Sequence, residues 1–394
     1  MISYVTLPLI AQQLSEQLKD DDSTSALFAR LMLSSYLIEH ECDLALNTNI
    51  SARHLAMTAV RTLNSSDTPL AYNTSVGYID LAYHVRYYNQ CWAVLDGYRE
   101  QLEDRLEQHA YRLIMTLSEH THVHNFDVIT GTAALGRYFL DSKPKRAQVL
   151  QAILAQLVSL SAPREHTING YYILPEHLGP FKSVETFPHG YLDLGMSHGI
   201  AGPMALLAIA YTRDSQLAPD MRTAIVSLLD IFKQYYDETT GRWPAYVVFK
   251  DGQLDCVHPH HVDSWCYGTP GIARAVYLAG RAIGDQEAVA LSLRAMERIM
   301  ERGIDSMGLE CPTFCHGYAG AFRIFTLFAR DTGLASFEAF QEELAEKLFT
   351  FGDRAHPYRF KKHQQGELSD SLNPLDGVAS IFVIHAFNGI FMLD

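Results

Sequence analysis

Three short stretches of the chain place an imidazole or a thiol within two residues ahead of a glycine. They are Ser197-His198-Gly199, Trp265-Cys266-Tyr267-Gly268 and Cys315-His316-Gly317. A fourth, Asp127-Val128-Ile129-Thr130-Gly131, carries an acid instead. Two thiolates and an imidazole form a soft donor set that prefers zinc. Three protein ligands leave the fourth tetrahedral position open, the pattern of a catalytic rather than a structural site. An arbitrary intracellular cysteine is most often a small core residue. Two cysteines at the same position of a repeat, one followed by His, point the other way.

Convergence of these residues requires elements that repeat, and the sequence supplies them. Five segments share the order glycine, any residue, Ala or Pro, a small residue, then an apolar helix. They are GTAALGRYFL from Gly131, GIAGPMALLAIAY from Gly199, GTPGIARAVYLAG from Gly268, GYAGAFRIFTLFA from Gly317 and GVASIFVIHAF from Gly377. Their helices are apolar almost all round and are expected to be buried. Glycine lets a first helical turn approach another backbone closely. Inner helices that start at one common end, with outer helices behind them, make a closed ring. The helix N-termini at that end favour thiolate over thiol.

Amphipathic stripes supply the outer elements. In PDMRTAIVSLLDIFKQYYD, Met221, Ile225, Leu228, Leu229 and Phe232 share one face, with Pro219 and Asp220 in the first turn. Similar stripes run through 24–40, 78–116, 147–160, 286–301 and 336–351. Strand signals are few. Residues 243–257 read as a hairpin turning at Asp251-Gly252, and 168–188 as an aromatic, Pro- and Gly-broken loop. The fold class expected is all-α, an α/α toroid spanning 1–394 as one domain, with a small β-containing insertion around 161–190.

Composition narrows the function. Of 394 residues 48% are hydrophobic, enough for a large core, and 31 basic against 45 acidic residues give a net charge of −14. That balance lacks the basic footprint of a nucleic-acid binder and disfavours an anionic membrane surface. No apolar run is long enough for a spanning helix. The N-terminus has no positive segment of the secretory kind, so a cytoplasmic location is expected. The six cysteines are then thiols rather than a disulfide framework.

WCYGTPG (265–271), CHGYAG (315–320), SHGIAG (197–202) and DVITG (127–131) together resemble the signature motifs of the lanthionine synthetase C-like family, the lanthipeptide cyclases. The resemblance runs from about 127 to 385, and WCYG-x-PG with CHG-x-AG in this order is highly specific. It implies an α/α toroid with one zinc (Zn2+) per chain, ligated by Cys266, Cys315 and His316. It places His198 and Asp127 opposite the metal, as the acid–base pair of a Michael-type addition. In that reaction a peptide Cys thiolate adds to dehydroalanine or dehydrobutyrine and closes a (methyl)lanthionine thioether ring. Tyr267 would line the pocket. Some members carry a basic residue shortly before WCYG. Here the stretch is His260-His261-Val262-Asp263-Ser264, and any such role falls to His261. GTAALG lacks the second glycine of its counterparts, so its helix is expected to sit differently.

His120, His122 and His124 alternate before Asp127, and His258, His260 and His261 form a similar group. Both are expected to be solvated, His-rich loops rather than second metal sites. Cys311 competes with Cys315, but the repeat position selects Cys315. The partners implied are a dehydrated precursor peptide with its leader, a separate dehydratase and an exporter, which would bring a peripheral membrane location without any anchor in the chain. The alternatives are an enzyme of the same site that adds glutathione to dehydrated peptides, and a non-catalytic, zinc-stabilised peptide-binding scaffold.

Overall fold

The structure is a computed structural model. It describes residues 7–18, single positions between 26 and 82, 96–116, 121–142, 146–164, 167–179, 182–250, 253–257, 262–353, and short stretches between 360 and 382. In chain order the helices are α1 (Leu7–Gln17), α2 (Asp96–Met115), α3 (Thr132–Asp141), α4 (Ala147–Ser161), α5 (Ala201–Arg213), α6 (Met221–Tyr235), α7 (Thr269–Ile283), α8 (Gln286–Arg302), α9 (Tyr318–Thr332) and α10 (Ala335–Thr350). The chain divides into two compact units. One is Met1–Leu106 with Leu309–Phe387, the other Glu107–Gly308 with Asn388–Asp394.

The second unit holds two layers of helices. α3, α5 and α7 pack side by side, and each is backed by the helix that follows it, α4, α6 or α8. This alternation of an inner and an outer helix is what the glycine-led repeats predict. The burial matches. Every residue of α5 from Ala201 to Ala210 is buried, as an inner helix requires. α6 buries Met221, Ile225, Leu228, Leu229 and Phe232, the stripe read from its 3.6-residue period. Each such side chain contributes about 1.5–3 kcal/mol when fully withdrawn from water. Pro219 and Asp220 precede α6 rather than open it. Asp220 is its N-cap at φ 60°, the lone non-glycine residue with positive φ among those described. α8 buries Ala288, Leu291, Ala295, Met296 and Ile299, and the Asp285 carboxylate caps it by accepting the Ala288 N–H at 3.0 Å.

The same unit carries a three-stranded antiparallel sheet, β1 (Leu192–Asp193), β2 (Tyr246–Lys250) and β3 (Gln253–Val257), in the order β1-β2-β3. β2 and β3 form the hairpin expected over 243–257; Asp251 and Gly252 lie outside the described residues. In the 161–190 stretch, single bridges join Arg164 to Thr167 and Ile173 to Tyr191, with a 3-10 turn at Pro175–His177. Its aromatic residues are tied inward, Tyr171 by donating its hydroxyl to the Leu157 carbonyl at 2.7 Å.

In the first unit α9 packs on α10. Phe325, Phe337, Phe328 and Phe340 interlock between them at centroid distances of 4.6 to 6.0 Å. The last repeat, from Gly377, continues as a 3-10 turn, Val378–Phe382. β4 (Lys362–Gln364) pairs with β5 (Glu367–Ser369). The stripe at 336–351 is α10. Those at 24–40 and 78–95 fall almost wholly outside the described residues, as do Cys42 and Cys91.

Candidate functional site

Each chemistry-bearing turn is held by its own glycine. Gly268, the N-cap of α7, has φ 91°, and a Cβ there would meet the Val262 carbonyl oxygen at 1.9 Å. Gly199 has ordinary φ, but a Cβ would come within 2.4 Å of the Gly195 nitrogen. The substitution of alanine for the second glycine, at Ala134, does not displace α3 as expected. The helix still starts directly after Gly131, and Ala134 is accommodated as a buried core residue.

Within the second unit three turns are stitched together by backbone hydrogen bonds. The Val128 N–H donates to the Ser197 carbonyl at 2.9 Å, and the Met196 N–H to the Cys266 carbonyl at 3.0 Å. His198 and Asp127 meet as a result. His198 Nδ1 lies 2.7 Å from Asp127 Oδ2. The carboxylate is fully buried and also accepts the Thr130 N–H at 2.7 Å, while the imidazole keeps 42% of its side chain exposed. Burial alone would lower the His198 pKa. The hydrogen bond and charge of Asp127, aided by Asp193 and Cys266, outweigh it and hold the ring above its ordinary 6.5. With Nδ1 engaged, the other ring nitrogen is left to exchange a proton with a substrate.

Behind Asp127 stands a second histidine. His124 Nδ1 lies 2.9 Å from Thr130 Oγ1. Burial, set against the attraction of Asp127, pushes its pKa down to about 4. It is half-buried, while His122 is exposed, as a solvated loop residue would be. His122 and His177 meet edge to face at 4.6 Å. Among the described residues neither His122 nor His124 belongs to a three-donor metal cluster. His120, His258, His260 and His261 lie outside the described residues, so the role considered for His261 has no structural counterpart here.

Cys266 is buried, with the Ser264 hydroxyl 3.5 Å from its sulfur. The turn before it is anchored by Asp263, which pairs with Arg242 at 3.0 Å and Arg302 at 3.2 Å. Trp265 is fully buried core. Tyr267 donates its hydroxyl to Asp193 Oδ2 at 3.3 Å. Burial and the Asp193 charge push its own ionisation well above 10. Asp193 is buried, and burial raises its pKa despite the Gly195 N–H donating to it at 2.7 Å. Sequence reasoning passed over Asp193 and Asp263. An acid inside the apolar run Tyr191-Leu192-Asp193-Leu194 was the available signal for the first.

In the first unit Cys315 and His316 stand side by side just before Gly317, the N-cap of α9, and both are half-exposed. The Cys315 N–H donates to the Leu375 carbonyl at 3.0 Å, and the Phe314 N–H to Ser380 Oγ at 2.9 Å. The last repeat therefore braces this turn. Cys311 is buried with its sulfur 3.1 Å from the Thr313 hydroxyl, withdrawn from the surface that Cys315 and His316 share.

The fold and the site define a class: glycine-led α/α repeats whose entry turns carry acid, imidazole and thiol groups in succession. Residues 73–383 match the family described as lanthionine synthetase C-like protein, and the chain belongs to that family. It is 25% identical over 228 residues to the nisin biosynthesis protein NisC of Lactococcus lactis subsp. lactis. That match covers 56% of this chain and 53% of NisC, so the aligned region spans about half the length of that curated relative. The solved structure of nisin cyclase superposes with a TM-score of 0.80 at 19% identity, covering 97% of this chain and 93% of that one. The two share the helical toroid fold, as the repeats predict. No helix among the described residues is long and apolar enough to cross a membrane.

Proposed function

We propose that the chain is a lanthipeptide cyclase that joins peptide cysteines to dehydroalanine or dehydrobutyrine. The observation that carries this reading is the His198–Asp127 pair, an imidazole hydrogen-bonded to a buried carboxylate, two residues beyond Met196, whose N–H bonds the Cys266 carbonyl. Family membership supports it.

Cys266, Cys315 and His316 would hold one zinc ion. The donor set fits: two thiols and an imidazole at equivalent repeat positions, with Cys315 and His316 reachable from solvent. When bound, the ion supplies Lewis acidity that lowers the pKa of a substrate thiol toward neutrality. His198 takes or returns the proton. Asp127 orients the ring and stabilises its charged form. In the addition a C–S bond forms at the β-carbon, the C=C π pair moves to the α-carbon, and a proton is delivered there. No mass is gained or lost.

The test feeds purified protein a dehydrated, cysteine-containing peptide. Rings that block thiol alkylation at unchanged mass support cyclisation. A mass raised by a thiol indicates the glutathione-adding reading. Peptide bound without ring formation, by wild type and His198→Ala alike, would point to a scaffold. A precursor peptide with its leader, a separate dehydratase, an exporter and a cytoplasmic or membrane-peripheral setting are the partners and location this reading carries.

A further inference from the structure

Lys182 lies in the aromatic segment ahead of the SHG turn and is not part of any motif. Its ammonium stands 4.2 Å from the ring centre of Tyr246, 5.5 Å from Phe187 and 5.8 Å from Tyr191. Those three rings pack on one another at 4.7 to 5.4 Å. Lys182 also donates to the Tyr246 hydroxyl. The Tyr246 ring meets Tyr267 edge to face at 6.3 Å, and the Tyr267 hydroxyl donates to Asp193 Oδ2. Of the charged side chains facing Asp193, Lys182 and His198 are the cations that lower its proton affinity.

We propose that Lys182 is a positioning residue: caged by Phe187, Tyr191 and Tyr246, its charge fixes the Tyr246 ring against Tyr267 and so holds Tyr267, the residue after Cys266 in the WCYG turn, on Asp193. This rests on the cyclase reading for its functional consequence. Partial burial lowers the Lys182 pKa and Asp193 raises it, so the cage and the carboxylate oppose one another in setting its charge. Cation–π attraction to three aromatic faces adds to the hydrogen bond from Lys182 to the Tyr246 hydroxyl and holds the ammonium in place. A lysine that only anchored a loop would have no need of the ring contact leading to the WCYG turn.

The experiment compares wild type with Lys182→Met, Lys182→Arg, Tyr267→Phe and the Lys182→Met/Tyr267→Phe double variant. The probe is a synthetic peptide with one dehydroalanine and one cysteine. Lys182→Met is expected to lower kcat by roughly tenfold to a hundredfold, the range for partners that orient a site. KM and bound zinc stay unchanged, and Lys182→Arg recovers most of the loss. The double variant is expected to be no slower than the worse single one, and its Tm loss to fall short of the sum of the single losses. Wild-type kcat in Lys182→Met overturns the proposal, as does equal loss in Lys182→Arg. Strictly additive Tm losses also overturn it, with no substrate involved. Absence of rings with wild-type protein would instead overturn the cyclase reading, leaving the Tm cycle to judge the network.

Discussion

The carbonyl oxygen of Cys266 accepts the backbone N–H of Met196 at 3.0 Å. A thiol-bearing turn and the turn that carries His198 are thereby locked across two repeats, and Val128 and Ser197 make the corresponding link one repeat earlier. The acid, the imidazole and the first thiol are held in register by main chain, which side-chain substitutions leave in place. Variants of His198, Asp127 or Cys266 should therefore lose chemistry before they lose fold.

Asp127→Asn tests the pair directly. It keeps the size of the side chain and a hydrogen bond to His198 but removes the charge that raises the ring's pKa. The His198 pKa, followed by NMR, should fall toward or below 6.5, since burial is then left without its main opponent. Ring formation should slow by roughly a hundredfold, within the range for a compromised acid–base group. An unshifted pKa would remove Asp127 from its role.

The sign of the same coupling fixes a stability window. A histidine whose folded pKa exceeds 6.5 binds its proton more tightly in the native state. Its contribution is fully present below 6.5 and is lost as pH rises through the raised folded value. The Tm advantage of wild type over His198→Gln should be larger near about pH 5.5 than near about pH 9. A gap that widens toward alkaline pH would contradict the geometry.

The WCYG turn depends on a buried acid that belongs to no catalytic motif. Asp263 faces Arg242 and Arg302, and also accepts the Thr269 N–H at 3.3 Å at the head of α7. Asp263→Asn should lower stability by about 3 kcal/mol, the lower end for breaking a buried pair, because both guanidinium groups retain some solvent. Urea denaturation would measure it. A loss below about 0.5 kcal/mol, as at an ordinary surface site, would deny the pair its anchoring role.

The inner helices were legible because their glycines and apolar run recur, and α6 because five of its buried residues, Met221, Ile225, Leu228, Leu229 and Phe232, follow a 3.6-residue period. Asp127, His198 and Cys266 were legible because each lies within four residues ahead of a repeat's leading glycine. The Lys182 cage was not. Phe187 and Tyr191 lie in a loop 59 and 55 residues before Tyr246, which opens β2, and no period connects them. His124 read as a loop residue because the 3-10 turn Val123–Asn125, which half-buries it, is too short to mark the sequence with a period. Ala134 misled in the opposite sense: a methyl group fits where the neighbouring repeats use glycine.

Gly268→Ala tests the turn itself. At φ 91° a side chain is strained, and its Cβ would collide with the Val262 carbonyl. The cost expected is about 1–3 kcal/mol from backbone strain alone, read as a lower midpoint in urea. Because the displaced turn carries Cys266, zinc affinity should fall with it.

Metal content ties these strands together. Wild-type protein should bind about one zinc per chain, and Cys266→Ala or Cys315→Ala should each abolish or greatly weaken binding while circular dichroism is retained, since an open three-ligand site cannot spare a donor. Cys311→Ala should leave zinc unchanged, because that sulfur is turned toward the Thr313 hydroxyl. Stoichiometric zinc that survives Cys315→Ala but not Cys311→Ala would reassign the ligand. No zinc in the wild type would leave a helical toroid that has kept the acid–base pair without the ion, and the scaffold reading would then be the one to pursue.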